Sequence, residues 1–445
     1  MENQWVFMVL FGATILGIIF FEKFNNKKID LSYLDMTLEE IKNRKRDFIS
    51  IKKLFFNNHK NHKKEPYIDD QTWQDLEMNK IFSNVDMTLT TPGEQRLYEI
   101  LRYPEMEEEV LEHRNEVISF IQRDENLKDK LRKILALLGR QNSGEILDLL
   151  YEHKRVDMSV KKFYDIMSLM AIASMISILF IGARGFMIVI FISAINMYLH
   201  KKLNNEIQGS VKAITYLSKV AATSSELCGI EEKILKNYID VLRRDSKLSE
   251  VILKNSSTIG RIEGLDVIGD YLNSVFLLQA KSYYKIMGNI QDSLEEIRNM
   301  YSVIGEIDAL ISVAIYREVA EVISTPKFIK GSKAIVAKNA VNPLIIDGVP
   351  NDINIGAKGI ILTGSNMSGK STYLRTVGAN ALMAQTLSTV TAESYEGDFF
   401  RIMTSISPKD DIENGKSYYL GEAEAVNRIL GKVKEKEKKR KQFYV

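Results

Sequence analysis

Residues 364–371, GSNMSGKS, constrain the fold of this chain more than any other segment. They match the pattern G-x-x-x-x-G-K-S/T at every fixed position, which is typical of a loop that binds phosphate groups. The preceding residues 359–363, GIILT, form a short apolar run with the composition of a buried strand. The following residues 371–385 carry apolar side chains at helical spacing. A strand, a glycine-rich loop and a helix in this order predict an α/β domain.

Each position of the loop has a predicted role toward ATP and Mg²⁺. The glycines allow the backbone to wrap the phosphates, and main-chain N–H groups of 367–371 would point at the β-phosphate. We expect Lys370 to reach the β- and γ-phosphates, Ser371 to bind Mg²⁺, and Thr372 to touch the α-phosphate. The predicted nucleotide-binding residues are Gly364, Ser365, Asn366, Met367, Ser368, Gly369, Lys370, Ser371 and Thr372.

An apolar run near the N-terminus predicts a membrane anchor over residues 1–22. Residues 5–21 contain no charged side chain, and as a helix they would extend about 25 Å, near the short limit for crossing a bilayer. Lys23, Lys27 and Lys28 follow directly. Because basic residues flanking a span tend to stay in the cytoplasm, we expect the N-terminus to face outward.

A second apolar stretch, residues 166–199, is interrupted by GARG at 182–185. Basic pairs at 161–162 and 201–202 flank it, so both ends are predicted to be cytoplasmic. The pattern favours a transmembrane hairpin, with a buried hairpin in a soluble core and a re-entrant pair as alternatives. The predicted localisation is the cytoplasmic membrane, with several passes and most of the chain in the cytoplasm.

The polar segments on either side of this stretch, 23–165 and 200–325, have helical apolar spacing. Within TTPGEQ, Thr91 is predicted to cap a helix, with Glu94 completing a capping box. Asp69 and Asp70 are interpreted as charges at a helix start rather than as a catalytic pair.

Composition narrows the function classes. The chain has 60 basic and 58 acidic residues, so its net charge of +2 gives no general basic excess for nucleic-acid binding. A single cysteine, Cys228, excludes an internal disulfide framework. His59 and His62 are spaced like a pair of metal ligands, but they lie in a polar segment. The composition of this segment favours a solvated loop over a zinc site.

The loop and four other segments together resemble the MutS family of DNA mismatch-repair ATPases. The family's loop typically has the sequence T-G-P-N-M-G-G-K-S-T, and TGSNMSGKST shares its Asn-Met pair. Further similar segments occur in the family's order, at residues 86–104, 111–118, 304–314 and 405–430. The resemblance extends over roughly residues 65–430, interrupted by the apolar hairpin.

This resemblance implies an ATP-driven switch that works as a homodimer through its ATPase domains. By the match to the signature segment, Ser417 is the serine that reaches the γ-phosphate bound by the opposite subunit. Together with the two apolar runs, the resemblance predicts a fold class of α plus α/β, a mostly helical core and lever region with transmembrane helices followed by a truncated phosphate-loop NTPase domain. The predicted segments are an anchor at 1–22, a helical core at 23–165, a hairpin at 166–199, a helical lever at 200–325 and an ATPase domain at 326–445.

Three departures from the family pattern bear on function. An apolar anchor stands where mismatch-repair members have their DNA-reading domain, so DNA remains a predicted partner without mismatch-specific reading. Asn342-Pro343 replaces the His-Pro found in many members, and leaves the adenine contacts unassigned. The sequence ends in QFYV, before the strand that carries the family's Walker B carboxylates. For that reason we expect weak nucleotide binding and inefficient hydrolysis from these 445 residues.

Two alternatives stay open. The first is a non-catalytic, truncated or split nucleotide-binding module. The second is a transporter-type ATPase, which would require an L-S-G-G-Q signature and more spans, whereas this chain has SYYLGEAEA at 417–425.

Overall fold

A computed structural model describes residues 38–62, 64–141, 144–152, 156–263, 266–365, 367–406 and 421–432. Four predicted features lie outside these residues: the anchor at 1–22, the loop residue Asn366, the signature residue Ser417 and the terminal QFYV.

The described chain is mostly helical, with one small mixed sheet. In chain order the helices are α1 (Leu38–Asn43), α2 (Phe48–His62), α3 (Asp70–Asp75), α4 (Met78–Val85), α5 (Thr91–Arg102), α6 (Glu108–Arg123), α7 (Glu125–Leu138), α8 (Glu145–Leu147), α9 (Met158–Ile181), α10 (Ala183–Leu227), α11 (Lys236–Arg244), α12 (Ser246–Glu263), α13 (Asp266–Phe276), α14 (Leu278–Gln291), α15 (Leu294–Val319), α16 (Lys370–Leu387) and α17 (421–432). A π-helical turn follows α8 at Asp148–Glu152, and a 3₁₀ turn spans Lys233–Leu235. The strands are β1 (Lys327–Phe328), β2 (Ile335–Ala340), β3 (Asn351–Ile355) and β4 (Ser394–Gly397).

The chain divides into two compact units. The first contains residues 133–231 and 236–304, and therefore the predicted hairpin. The second contains 36–132, 232–235 and the residues from 305 onward, and therefore the phosphate loop.

The sheet of the second unit has the strand order β1-β4-β2-β3. Strand β4 pairs with β1 in parallel and with β2 antiparallel, and β2 also pairs antiparallel with β3. The prediction of a buried strand at 359–363 was wrong, because this segment pairs with no described strand and Ile361 is 90% exposed. A strand requires a neighbour that accepts its backbone hydrogen bonds, and apolar composition alone does not supply one.

Asp308 of α15 organises the polypeptide that leads into α5. Its buried carboxylate accepts hydrogen bonds from the backbone N–H groups of Leu89 and Thr90, at 3.1 and 2.9 Å, and from the Thr90 hydroxyl at 2.6 Å. The predicted cap was therefore placed one residue too late. Thr90 is the N-cap of α5, and its hydroxyl accepts the N–H of Gly93 at 3.0 Å, whereas Thr91 is already helical.

Helices α5 and α15 approach so closely that glycine is required on both. A Cβ on Gly93 would lie 2.1 Å from a carboxylate oxygen of Asp308, and one on Gly305 would lie 2.5 Å from the carbonyl oxygen of Pro92. The two glycines thus bring the cap of α5 within reach of Asp308.

The first unit contains the hairpin of α9 and α10. Only Gly182, in a left-handed conformation at φ 57°, separates the two helices, so the interruption is shorter than the predicted 182–185. A Cβ on Gly185 would lie 2.7 Å from the Cα of Ile178, which shows that the helices touch near this turn. Both helices are long and apolar enough to span a membrane by length and composition.

Candidate nucleotide-binding site

The phosphate loop has two left-handed positions in its described part. Gly369 has φ 86°, which glycine adopts without steric cost. Met367 also has a positive φ, 70°, and its side chain is fully exposed. Glycine is favoured at position 364, because its φ of 159° is one that residues with a side chain rarely adopt, and a Cβ there would lie 2.8 Å from the hydroxyl of Ser368.

The predicted helix after the glycine-rich segment is present as α16, which begins at Lys370, one residue before the predicted helical residues 371–385. Its N-cap is Gly369, which offers no side chain to bind the N–H groups of the first turn. Those groups have no intrahelical partners, and together with the helix dipole they form an environment that favours a bound anion. The helix start therefore fits a phosphate group.

Lys370 folds back over the start of its own loop. Its ammonium group donates to the carbonyl oxygens of Gly364 at 2.8 Å and Ser365 at 2.6 Å. The positive charge therefore lies at the loop, where it would face a bound phosphate. Ser371 and Thr372 follow in the first turn of α16, exposed and half-buried respectively. Their hydroxyls are available on the same turn for a metal ion or a phosphate oxygen.

Helix α3 contacts the phosphate-loop helix through Asp75. The carbonyl oxygen of Asp75 accepts from Nε of Arg375, at 2.8 Å, one turn into α16. The carboxylate of Asp75 is buried and accepts from the hydroxyl of Thr404 at 2.9 Å and the N–H of Ile406 at 3.0 Å. A single residue of α3 thus holds both α16 and the chain that precedes residue 407.

The other end of α3 binds α17. Arg428 forms an ion pair with Asp69, and a second amino group of Arg428 donates to the carbonyl oxygen of Thr404 at 2.5 Å. Asp69 also caps α3 by accepting from the N–H of Thr72 at 2.8 Å, which confirms its interpretation as a helix-start charge. We call Asp69, Thr72 and Asp75 the α3 cluster. It binds residues on both sides of the sequence segment that contains Ser417.

The C-terminal half of α16 is held by buried polar side chains. The amide oxygen of Asn380 accepts the N–H of Thr391 at 2.7 Å. The side chain of Gln385 both donates to and accepts from the backbone of Phe400, at 3.0 Å in each case. These pairs join α16 to the strand β4 region, and they fix the helix that carries the loop.

Sequence reasoning did not find the α3 cluster or the anchoring of α16. Asp69 carries a capping signal, but nothing in the sequence near Asp75, Asn380 or Gln385 indicates their partners, which lie far away in the chain. Asn342, which stands where many family members have histidine, accepts the N–H of Leu344 through its side chain at 2.9 Å, and so stabilises a local turn.

Comparison with known proteins agrees with this geometry. The family model described as MutS domain V matches residues 360–437, the part of the chain that begins at the loop. The DNA mismatch repair protein MutS of Petrotoga mobilis is 30% identical over 251 residues, which cover 52% of this chain and 30% of that protein. Residues 360–437 thus carry the MutS domain V pattern, and the chain is similar to MutS-family proteins over part of its length.

Other members show similar partial matches. The DNA mismatch repair protein MSH3 of Saccharomyces cerevisiae is 32% identical over 193 residues, covering 41% of this chain and 19% of that protein. The MutS protein of Thermosipho melanesiensis is 35% identical over 169 residues, covering 36% of this chain and 20% of that protein. The aligned parts are thus at most about a third of the length of these MutS relatives.

Proposed function

We propose that this MutS-family chain is an ATP-binding switch attached to a membrane by the α9–α10 hairpin. One observation carries the nucleotide part of the proposal. An uncapped helix start follows a glycine-bounded loop whose lysine ammonium lies 2.6 to 2.8 Å from the loop's own carbonyl oxygens. Together the N–H groups, the positive charge and the Ser371 hydroxyl match the needs of a Mg²⁺-nucleotide triphosphate. When bound, ATP supplies a transferable γ-phosphoryl group, and these residues hold and orient it.

A second copy of the chain is the proposed partner of this site. The described loop residues are exposed, apart from the half-buried Lys370, so one copy leaves the phosphates open on one side. We propose that Ser417 of a second copy closes that side, as the family resemblance implies. Ser417→Ala should then leave nucleotide binding by the monomer unchanged and weaken only ATP-dependent dimerisation, measured by sedimentation.

DNA is a proposed partner because the relatives are named for DNA mismatch repair. We propose contact without mismatch preference, since the net charge of +2 provides little general attraction to phosphates. A mobility shift comparing matched with mismatched duplexes checks this, and preferential binding of the mismatch would contradict it.

Membrane attachment is supported by the outer surface of the hairpin. In each helix we consider the 18-residue segment that is most apolar. Only 22% of this segment is buried in α9 and 17% in α10, which argues against a core hairpin in a soluble protein. Large apolar side chains along both helices are exposed, including Ile166, Leu169, Leu179, Phe180, Met187, Ile190, Phe191 and Tyr198. In water such a surface would be costly, whereas lipid chains would cover it.

The nucleotide proposal is tested by Lys370→Ala, with Lys358→Ala as the matched control. Lys358 is exposed and lies just before the loop, but outside the phosphate-binding pattern. We expect Lys370→Ala to lower the affinity for a fluorescent ATP analogue with Mg²⁺ by at least tenfold, and Lys358→Ala to leave it unchanged. Equal affinity in both variants would overturn the proposal.

The membrane proposal is tested separately, by extracting membranes with carbonate or high salt. Salt screens charge contacts but does not weaken apolar burial, so the chain should stay in the pellet. Release of the chain by salt alone would contradict membrane insertion, and would leave the nucleotide proposal intact.

A further inference from the structure

We infer that the corner between α13 and α14 is a third lipid-contacting element, seated at the headgroup boundary beside the hairpin. This inference rests on the membrane attachment proposed above. It adds a segment, residues 271–277, whose sequence did not indicate a membrane location. In this segment Tyr271 is exposed, Leu272 and Phe276 are half-buried, and the other residues pack inside the protein. Lipid molecules would cover the surface around the corner, at the level where their headgroups meet their acyl chains.

The corner packs directly against both helices of the hairpin. Val275, near the end of α13, forms a buried apolar cluster with Ala171 of α9 and Ile192 of α10, and Phe276 packs against that cluster. The end of α13 therefore contacts both helices of the hairpin, at positions five and seven residues inside the two ends of the apolar stretch.

The position of these contacts along the hairpin gives the depth of the corner. At the helical rise of 1.5 Å per residue, Ala171 lies about 7.5 Å from Ile166, where the apolar stretch begins. By the same measure Ile192 lies about 10.5 Å from Leu199, where the stretch ends. Amphipathic segments that lie in a membrane interface bury their apolar face by about 5–10 Å, which matches this depth.

A helix end at that depth needs internal partners for its backbone, because lipid offers none. Helix α13 ends because the backbone of Leu277 adopts the left-handed conformation, with φ 53°. The side-chain amide of Asn196 donates to the carbonyl oxygen of Val275 at 2.7 Å and to that of Met167 at 3.2 Å. Asn196 is fully buried, so it joins the end of α13 to α9 and α10 away from solvent.

The corner itself is closed by a second asparagine. Asn273 accepts the N–H of Gln279 at 2.8 Å and donates to its side-chain oxygen at 2.9 Å. The carbonyl oxygen of Asn273 accepts the N–H of Leu277 at 2.7 Å. These bonds bridge the break between α13 and α14.

Side chains on either side of the corner fit a boundary position. Tyr271, one turn before Val275, is 62% exposed, and tyrosine favours the interface because its ring is apolar and its hydroxyl is polar. On α14, Lys281 lies 3.9 Å from the carboxylate of Asp165, just outside the apolar stretch. The first charged contact of α14 thus lies at the predicted edge of the lipid.

Collision accessibility of nitroxide labels tests the inference on the full chain. In a Cys228→Ser background, single labels are placed at Tyr271→Cys, at Leu179→Cys in the hairpin and at Val251→Cys on α12. Each protein is reconstituted in vesicles of phosphatidylcholine and phosphatidylglycerol, and accessibility to oxygen is compared with accessibility to a water-soluble nickel chelate.

We expect label 179 to favour oxygen strongly, label 251 to favour the nickel chelate and label 271 to favour oxygen at an intermediate ratio. If label 271 behaves like label 251 while label 179 is in lipid, the inference is wrong and membrane attachment stands. If label 179 is also water-accessible, membrane attachment fails, and the inference fails with it.

A variant of Asn196 tests the connection between the corner and the hairpin. Asn196→Leu removes the donor that holds the carbonyl of Val275, so label 271 should become more accessible to the nickel chelate by at least twofold. Met197→Leu, at an exposed neighbouring position, is the control and should leave the ratio unchanged. An unchanged ratio in Asn196→Leu would overturn the assigned role of Asn196.

Discussion

The guanidinium group of Arg317, in the last turn of α15, donates to the carbonyl oxygen of Ser388 at 2.7 Å, just beyond the end of α16. It also donates to the hydroxyl of Thr389 at 2.8 Å and to the side-chain oxygen of Asn115 at 2.9 Å. Burial lowers the pKa of Arg317 to about 10, so the group stays charged at neutral pH. The phosphate-loop helix thus ends on a fixed positive charge, which complements its dipole.

Arg317→Met should destabilise the second unit. The substitution leaves the carbonyl oxygen of Ser388 and the side-chain oxygen of Asn115 without this donor, at a cost of about 1–3 kcal/mol for the buried Ser388 group if it is left unpaired. Chemical denaturation should show a lower midpoint. Arg123→Met, at an exposed position on α6, is the control and should change the stability by less than about 0.5 kcal/mol. Equal stability of the two variants would refute the proposed anchoring.

Gly305→Ala should destabilise the packing of α15 against α5. The new Cβ would lie 2.5 Å from the carbonyl oxygen of Pro92, so the backbone must move, and overpacking typically costs about 1–3 kcal/mol. Gly209→Ala in α10 is the matched control, because a Cβ there has nothing within 4 Å. That control should gain about 0.5–1 kcal/mol from its higher helix propensity. Thermal unfolding of both variants measures the difference, and a stabilising effect of Gly305→Ala would contradict the observed approach.

Glu306 should make the second unit sensitive to acid. Burial opposes its ionisation, but the nearby charges of Arg96 and Arg114 outweigh burial and lower its pKa below the ordinary 4.5. Because the folded-state pKa is depressed, the stabilisation is fully present above pH 4.5 and is lost as the pH falls through the folded-state value.

Glu306→Gln removes this pH dependence. At neutral pH we expect a loss of about 3 kcal/mol, because Arg96 and Arg114 lose the buried negative charge that they face, and only Glu99, at 2.5 Å, remains as a charged partner of Arg96. The difference between wild type and variant should shrink below pH 4.5 in denaturation curves measured across pH. A difference that stays constant down to strong acid would show that ionisation of Glu306 is not its source.

Asp75→Ala should loosen the chain that precedes residue 407. The substitution removes the carboxylate that accepts the N–H of Ile406 at 3.0 Å and the hydroxyl of Thr404 at 2.9 Å. Hydrogen exchange at the Ile406 amide should become at least tenfold faster, with Asp129→Ala, on an exposed face of α7, as the control. Unchanged protection at Ile406 would mean that another contact holds this segment.

The local parts of the candidate site could be predicted from the sequence because they depend on neighbouring residues. The loop is bounded by Gly364 and Gly369, and α16 starts at Lys370, since glycine permits the left-handed turn and no capping side chain is required there. The start of α3 at Asp69 follows from the same kind of short-range hydrogen bond.

Contacts between distant residues were decided only by the tertiary structure. Asp308 shifts the cap of α5 to Thr90, Arg317 binds the end of α16, and Asn196 holds the end of α13, in each case across many residues. A polar side chain in a helical segment has the same local pattern whether it faces solvent or a buried carbonyl, so spacing alone does not distinguish the two. The unpaired apolar run at 359–363 shows the same limit, because a strand depends on the neighbour that accepts its hydrogen bonds.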